Sequence, residues 1–489
     1  MRIRGLTASI VLVSTTMASS VAAQQVLSRQ VQARLAAAPA ETSHLVWVFF
    51  RDKGPQPERR LDQARGRLTP RALARRAGRG TRRPLVGFED LTLPPAYVEA
   101  VRAVGARLRH ESRWFGAVSI EATEPQIRSL ARLPFVARVD LVRRQPRRPR
   151  PTLVPSEAVA PLALQPASPH TFDYGASYGQ LAQIGVPAVH DLGYHGEGVV
   201  VAVLDAGFDN LAHEVFASAR ILAAQDFVNH DADVADGADL GEGTHGTATL
   251  SALGGFREGQ LVGPAFGASF ILAKTENTQS ETPVEEDNWA AAAEWVEALG
   301  ADIISSSLGY FEYDNAADSY EYADLNGDIA ISTRAADLAG ERGVVVVNSA
   351  GNEGFSAEHG TLGAPADGQL VLAVGAVGSQ GDRASFSSVG PTADGRIKPD
   401  LMAQGRLVVL AESYATNAYG RGDGTSFACP LVAGVAALVL QAHPEYGVEQ
   451  VSSVLRSTAS NAAAPNNLLG WGIVNALQAV LAQQTQGQE

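Results

Sequence analysis

The sequence predicts an α/β protein, a three-layer α/β/α domain on a mostly parallel sheet, with a small α+β module ahead of it. Three observations predict this. Beyond residue 170, apolar runs of strand length alternate with alanine-rich helical stretches, the grammar of a parallel sheet covered on both faces. Before residue 143 the order is strand, helix, strand, strand, helix, strand. Between them, residues 143–170, "RRQPRRPRPTLVPSEAVAPLALQPASPH", hold seven prolines and no helical or strand period, which marks an exposed, semi-extended linker.

Taken in order, residues 1–23 combine Arg2 and Arg4, the apolar stretch "GLTASIVLVSTTMASS" and the small-residue exit Val21-Ala22-Ala23, the three parts of a signal peptide. Export to the extracellular space or the periplasm is therefore expected. No later run of 18 apolar residues follows, so no membrane span is predicted. Residues 24–144 form the module: strands at "HLVWVFF", "RLRHESR", "WFGAVSIEA" and "FVARVDLV", helices at "PAYVEAVRAVGA" and "EPQIRSLARL", a ferredoxin-like order. Residues 145–170 are the linker and 171–489 the large domain. There "VVVAVL", "ASFILAKT", "ADIISSSLGY" and "GVVVVNSAGNEG" are buried strands, and "NWAAAAEWVEALG" and "ISTRAADLAGERG" are helices.

With 489 residues, 45% hydrophobic and 19% charged, the chain can bury a sizeable core. Its one cysteine, Cys429, excludes an intramolecular disulfide. Charge divides the chain more sharply than composition does. Residues 1–150 carry 28 Lys and Arg against 11 Asp and Glu, leaving 11 against 41 in the rest, so +17 is joined to −30. The basic piece thus has its counter-charge covalently attached, which argues against nucleic acid as a partner.

In such sheets ligands sit at the carboxyl ends of strands, and Asp205, Ser307 and Asn352 all fall at strand ends. Asp205 closes the apolar run "AVLDAGFD", where a carboxylate needs a donor nearby; alone it also reads as a turn residue before Gly207. His245 is framed in "GTHGT", with Thr244 as a candidate cap and small residues that permit close packing. Ser426, in "DGTSFACP", precedes the run "VAGVAALVL" and reads either as a helix cap or as a nucleophile at the positive end of the helix dipole. Asn352, between Gly351 and Glu353, suits a left-handed turn as well as an oxyanion donor. Acyl transfer needs a hydroxyl activated by an imidazole whose tautomer a carboxylate holds, and Asp205, His245 and Ser426 supply those groups.

The order Asp, His, Ser, with "VAVLDAGFD", "HGTATLSALGG", "SSSLGY", "SAGNEG", "SFSSVGPTADGRIKPDLMAQG" and "GTSFACPLVAG" in succession over about residues 180–482, resembles the subtilisin-like serine peptidases. That resemblance implies that Asp205 orients His245, that His245 is general base and then general acid, that Ser426 attacks the scissile carbonyl, and that Asn352 donates to the oxyanion. It also implies that Ser307, Leu308 and Gly309, with Ser349, Ala350 and Gly351, are two edge segments that pair with an extended peptide substrate. The amino-terminal module is similar to the prodomains of such enzymes, which implies an inhibitor and chaperone carried in cis. The expected protein is a monomeric secreted endopeptidase acting on proteins and peptides, with no cofactor needed for catalysis. Structural calcium stays open at Asp231, Asp233, Asp236 and Asp239 and at "YADLNGD", neither of which has EF-hand spacing. The alternative class is a catalytically silent binding or structural protein on the same scaffold.

Overall fold

The computed structural model describes residues 26–79, 84–142, 170–235, 243–279, 282, 284–311 and 319–482. The expected signal peptide, the proline-rich linker up to residue 169, and Asp236 and Asp239 lie outside the described residues. The chain divides into two compact units, Met1–Arg67 with Val86–Arg143, and Leu68–Leu85 with Arg144–Glu489.

In the first unit, helix α1 (Arg29–Ala37) starts at Ser28, whose hydroxyl accepts from the Val31 N–H at 3.3 Å. Strand β1 (Ser43–Phe50) leads to helix α2 (Pro57–Arg65). After an excursion through Leu68–Leu85 the unit resumes with helix α4 (Pro95–Ala103), strands β2 (Arg107–Ser112) and β3 (Ala117–Thr123), helix α5 (Glu124–Leu130) and strand β4 (Val136–Leu141). The sheet order is β2-β3-β1-β4, antiparallel throughout, with Val46 opposite Ile120 and Trp47 opposite Asp140. This is the ferredoxin-like arrangement that the element order predicts. Val46, Val48, Val118, Ile120, Val136 and Val139 alternate inward to meet Val98, Val101, Ile127 and Leu130 from the helices.

The excursion contains helix α3 (Pro70–Gly78), which the sequence reading does not contain. The sequence "PRALARRAGR" has too few apolar residues to show a helical stripe. Its start signals are nevertheless present: Pro70 occupies the first turn, and the Thr69 hydroxyl accepts from the Ala72 N–H at 3.1 Å. By its contacts this segment folds with the second unit.

The second unit carries helices α6 (Tyr178–Gln183) and α7 (Val186–Asp191), β5 (Val200–Asp205), β6 (Arg220–Asp226), α8 (Thr244–Gly254) and the small hairpin β7 (Phe256–Arg257) and β8 (Leu261–Val262). Then follow β9 (Ser269–Lys274), α9 (Val284–Leu299), β10 (Ile303–Ser306), α10 (Ile331–Glu341), β11 (Val345–Ser349), β12 (Val371–Val377) and β13 (Leu401–Gln404). The hairpin β14 (Val408–Ala411) and β15 (Tyr419–Gly422) precedes α11 (Thr425–Ala442), α12 (Val448–Ser457) and α13 (Ala476–Leu481). The seven-stranded sheet has order β13-β12-β11-β10-β5-β9-β6, and all its pairs are parallel. Every residue of β5, β10, β11, β12 and β13 is buried, as strands covered on both faces must be. After β9 the chain crosses to the other side of β5 to lay down β10, so β5 and β10 flank the point where strand order reverses. Among the described residues, α11 is the one helix long and apolar enough to cross a membrane, and 89% of it is buried inside the protein.

Candidate active site

The carboxyl ends of β5, β10 and β11 are adjacent, with Leu204 paired to Ser306 and Ser306 paired to Asn348. Asp205 ends β5 and is fully buried. Both of its oxygens are satisfied, which answers the need its burial creates. Oδ1 faces His245 Nδ1 at 2.6 Å and accepts from the Ala206 N–H at 2.7 Å, while Oδ2 accepts from the Thr249 hydroxyl at 2.9 Å. His245 and Thr249 lie one turn apart on α8, hence on the same face. A carboxylate against Nδ1 makes that nitrogen the protonated one and leaves Nε2 as the basic atom. Helix α8 can come this close because Gly246 carries no side chain: a Cβ there would stand 2.2 Å from the Gly207 carbonyl oxygen. Gly243 occupies the cap position of α8, and Thr244 is its first residue, so the capping role expected for Thr244 is not the one found.

Ser426 is likewise no cap. Gly424 holds the cap position of α11 and offers no capping side chain, and Ser426 sits second in the helix. Pro430 lies inside α11 and lacks the N–H that would bond the carbonyl four residues back, which is that of Ser426. The Ser307 hydroxyl fills the vacancy, donating to the Ser426 carbonyl at 2.7 Å. Proline and serine thus hold the Ser426 backbone against the end of β10. The Ser426 hydroxyl in turn donates to the Ser307 carbonyl at 3.3 Å.

Asn352 lies beside the same helix end. Its Oδ1 accepts from the Thr425 N–H at 2.9 Å, with the Thr425 hydroxyl 3.1 Å away. The carbonyl side of the amide is therefore engaged, and Nδ2 is the arm left for a ligand. The positive φ angles in this loop belong to Gly351 and Gly354, so a left-handed turn is not what Asn352 supplies. Of the two edge segments, Ser307, Leu308, Ser349 and Ala350 are buried, Gly351 is half-buried and Gly309 is exposed. Asn348 ties them together: its Nδ2 donates to the Leu308 carbonyl at 2.9 Å and to that of Ser349 at 2.8 Å.

The structure thus brings Asp205, His245, Ser426 and Asn352 with both edge segments to one end of the sheet. Sequence reasoning missed Thr249, Thr425 and Asn348. The spacing of Thr249 from His245 was a usable signal; for Asn348 there was none, because the Leu308 carbonyl that it bonds is 40 residues away in the chain. Cys429, one turn beyond Ser426, is buried, and its thiol lies 3.4 Å from the Ser306 and Val347 carbonyls. Burial pushes that thiol up to about 12, so it is a core residue and no nucleophile. The acidic loops serve their own turns: Asp231 accepts from the Asp233 N–H and Asp233 from that of Ala235, while Asp324 accepts from the Glu321 N–H. Among the described residues no group of three or more His, Cys, Asp or Glu is placed to hold a metal ion.

A parallel α/β sheet with an Asp–His pair and a helix-end serine at its strand ends defines a class, the serine-type endopeptidases of subtilisin fold. The chain belongs to the subtilase family: residues 196–472 match that family's model, and residues 45–154 match the peptidase S8 propeptide domain of Bacteroidota. It is 30% identical to subtilisin E of Bacillus subtilis over 293 residues, 60% of this chain and 68% of that protein. It is 34% identical to a subtilisin of Bacillus pumilus over 282 residues, 57% of this chain and 90% of the relative. Among solved structures, fervidolysin from Fervidobacterium pennivorans, described as a keratinolytic enzyme related to subtilisin, superposes with a TM-score of 0.63 at 22% identity. That match covers 91% of this chain and 62% of fervidolysin, and it speaks to the fold alone. The protein is a serine-type endopeptidase, and subtilisins catalyse without a cofactor.

Proposed function

We propose that the protein is an exported endopeptidase that cleaves proteins through an Asp205–His245–Ser426 triad and an acyl-enzyme. The observation that carries this reading is the 2.6 Å contact of His245 Nδ1 with the buried Asp205, at the strand ends where Ser426 stands in the first turn of a helix. Asp205 holds the tautomer in which Nε2 is basic. A rotation of the Ser426 side chain away from the Ser307 carbonyl brings Oγ to Nε2, a tightening expected when substrate arrives. The Oγ proton passes to Nε2 as Oγ bonds the scissile carbonyl carbon. Asn352 Nδ2 meets the resulting oxyanion, with the positive end of α11 behind Ser426. When the tetrahedral species collapses, the C–N bond breaks and the imidazolium proton leaves with the amine. Water then enters by the same steps and releases the acid. Ser307–Gly309 and Ser349–Gly351 take the substrate backbone as an added strand.

Residues 24–144 act in this reading as propeptide, inhibitor and chaperone in cis, residues 1–23 as an export signal, and the first bond is cut in the linker. The test uses a denatured protein such as casein. Ser426→Ala abolishes hydrolysis and labelling by a serine-directed fluorophosphonate, while the intact chain is labelled on Ser426 once the propeptide is gone. Hydrolysis by Ser426→Ala at the wild-type rate refutes the triad. Absence of hydrolysis by the fully processed wild type favours a silent binding protein instead.

A further inference from the structure

Helix α3 lies within the residues that match a propeptide model, yet it folds with the peptidase unit. Its partner is the carboxyl end of α9 and the turn into β10. That end is poorly served by its own sequence. Helix α9 has no basic residue in its last turn, and it places Glu297 there, beside the negative end of the helix dipole. Its terminal carbonyls need donors as well. The arm supplies both. Thr69 donates its N–H to the Ala298 carbonyl at 3.0 Å and its hydroxyl to that of Leu299 at 2.9 Å. Arg76 grips Glu297 with two bonds of 2.8 and 2.7 Å. Arg75 reaches the same carboxylate and donates to the Ala301 carbonyl at 2.6 Å. Arg71 pairs with Asp302 and donates to the Gly300 carbonyl at 3.0 Å, and Arg79 meets Asp302 at 3.1 Å. Glu297 is fully buried, as are the Arg75 and Arg76 side chains. Burial draws Arg75 down to about 10, with Glu297 opposing, and it stays a cation at neutral pH. The receiving surface is shaped for a helix: Gly300 has φ +98, and a Cβ there would come within 2.9 Å of Arg71.

The geometry points to a dedicated arginine-helix receptor on the peptidase unit, formed by Glu297, Asp302 and the carbonyls between them, which holds the arm Leu68–Leu85 as a latch separate from the catalytic cleft. It rests on the reading of residues 24–144 as a propeptide and extends it. Cutting the linker does not release the propeptide, because four arginines spaced at 71, 75, 76 and 79 keep it anchored after the cleft is free. Buried pairs are screened little by salt, so the latch survives ionic strength that abolishes surface attraction. Activation is therefore a second event, loss of the arm.

The experiment uses the full chain with Ser426→Ala and a site for an added sequence-specific protease placed in the linker. After nicking, the two fragments are expected to co-elute in gel filtration at both 0.1 M and 1 M NaCl. In the Arg75→Met/Arg76→Met variant, and in Glu297→Gln, fragment release is expected to quicken by roughly 10²-fold, since each leaves a buried charge without its partner. Separation of the unmutated nicked fragments at 1 M NaCl overturns the latch, and so does release unchanged in both variants. This primary readout needs no latch variant to fold. A parallel sample with Ser426 intact is exposed to fluorophosphonate before nicking. Labelling there refutes the inhibitor reading while leaving the co-elution result to judge the latch.

Discussion

At the scale of single residues, the candidate site rests on buried polar groups whose partners fix their orientation. The Asn352 amide is turned by Thr425, whose N–H takes its oxygen, and in the proposed mechanism Nδ2 meets the oxyanion. Because that bond strengthens only as negative charge develops, Asn352→Ala is expected to lower kcat and leave KM nearly unchanged in steady-state assays on a peptide anilide. The size is the figure known for the corresponding donor in subtilisin itself, roughly 10² to 10³-fold, and is borrowed from there. A change confined to KM assigns Asn352 to loop structure. Asp205, His245, Ser426 and Asn352 were legible in the sequence because each stands in a short motif whose chemistry is local. Thr425 and Asn348 were not, since the Thr425 N–H and the Asn348 amide take their meaning from Asn352 and Leu308, 73 and 40 residues away.

At the scale of elements, the buried strands β5, β9, β10 and β11 and the module's helices α4 and α5 declare themselves by apolar period, and the structure places them where that period predicts. Helices α1, α2 and α3 and the edge strand β6, "RILAAQD", carry mixed polarity and pass unread, and the buried strands β12 and β13 pass unread as well. Helix α7 shows a different dependence on its neighbours. His190 is buried, accepting from the Tyr174 hydroxyl through Nδ1 at 2.8 Å and donating from Nε2 to the Pro264 carbonyl at 2.9 Å. Burial pulls it from 6.5 to about 4, against the favourable Pro264 bond. The sign follows: below about 6.5 the unfolded chain takes up a proton that the folded chain refuses until about 4. Stability is therefore lost as pH falls through that window, by about 3 kcal/mol in all. Chemical unfolding of the Ser426→Ala chain between pH 7 and 4 is expected to show this loss. In His190→Gln the same interval should show a smaller decline, whatever its starting stability. An identical decline in both removes His190 as the cause.

At the scale of the whole molecule, the +17 and −30 halves make the propeptide a counter-ion of the enzyme that follows it. The two electrostatic effects separate by mechanism. Surface charge steers encounter over about 10 Å at 0.1 M salt, whereas the buried arginines act on release. Residues 171–489 with Ser426→Ala are therefore expected to refold slowly or incompletely after dilution from denaturant. Adding residues 24–144 should rescue refolding, with a rescue rate that falls as NaCl rises from 0.05 to 0.5 M. Efficient unaided refolding removes the chaperone role.

Sequence by itself determined the parallel α/β domain, the small antiparallel module, the family, and the four residues of the candidate site. Those properties reside in periodicity and in contiguous motifs, which survive without knowledge of neighbours. Only the tertiary structure decided that Ser426 is held by Ser307 in the gap that Pro430 leaves, that Asn352 is turned by Thr425, and that an arginine helix of the propeptide region closes the end of α9. Each of these is a partnership between segments far apart in the chain. A hydrogen bond or ion pair of that kind satisfies a group whose need is created by burial, and burial is a property of the assembled fold.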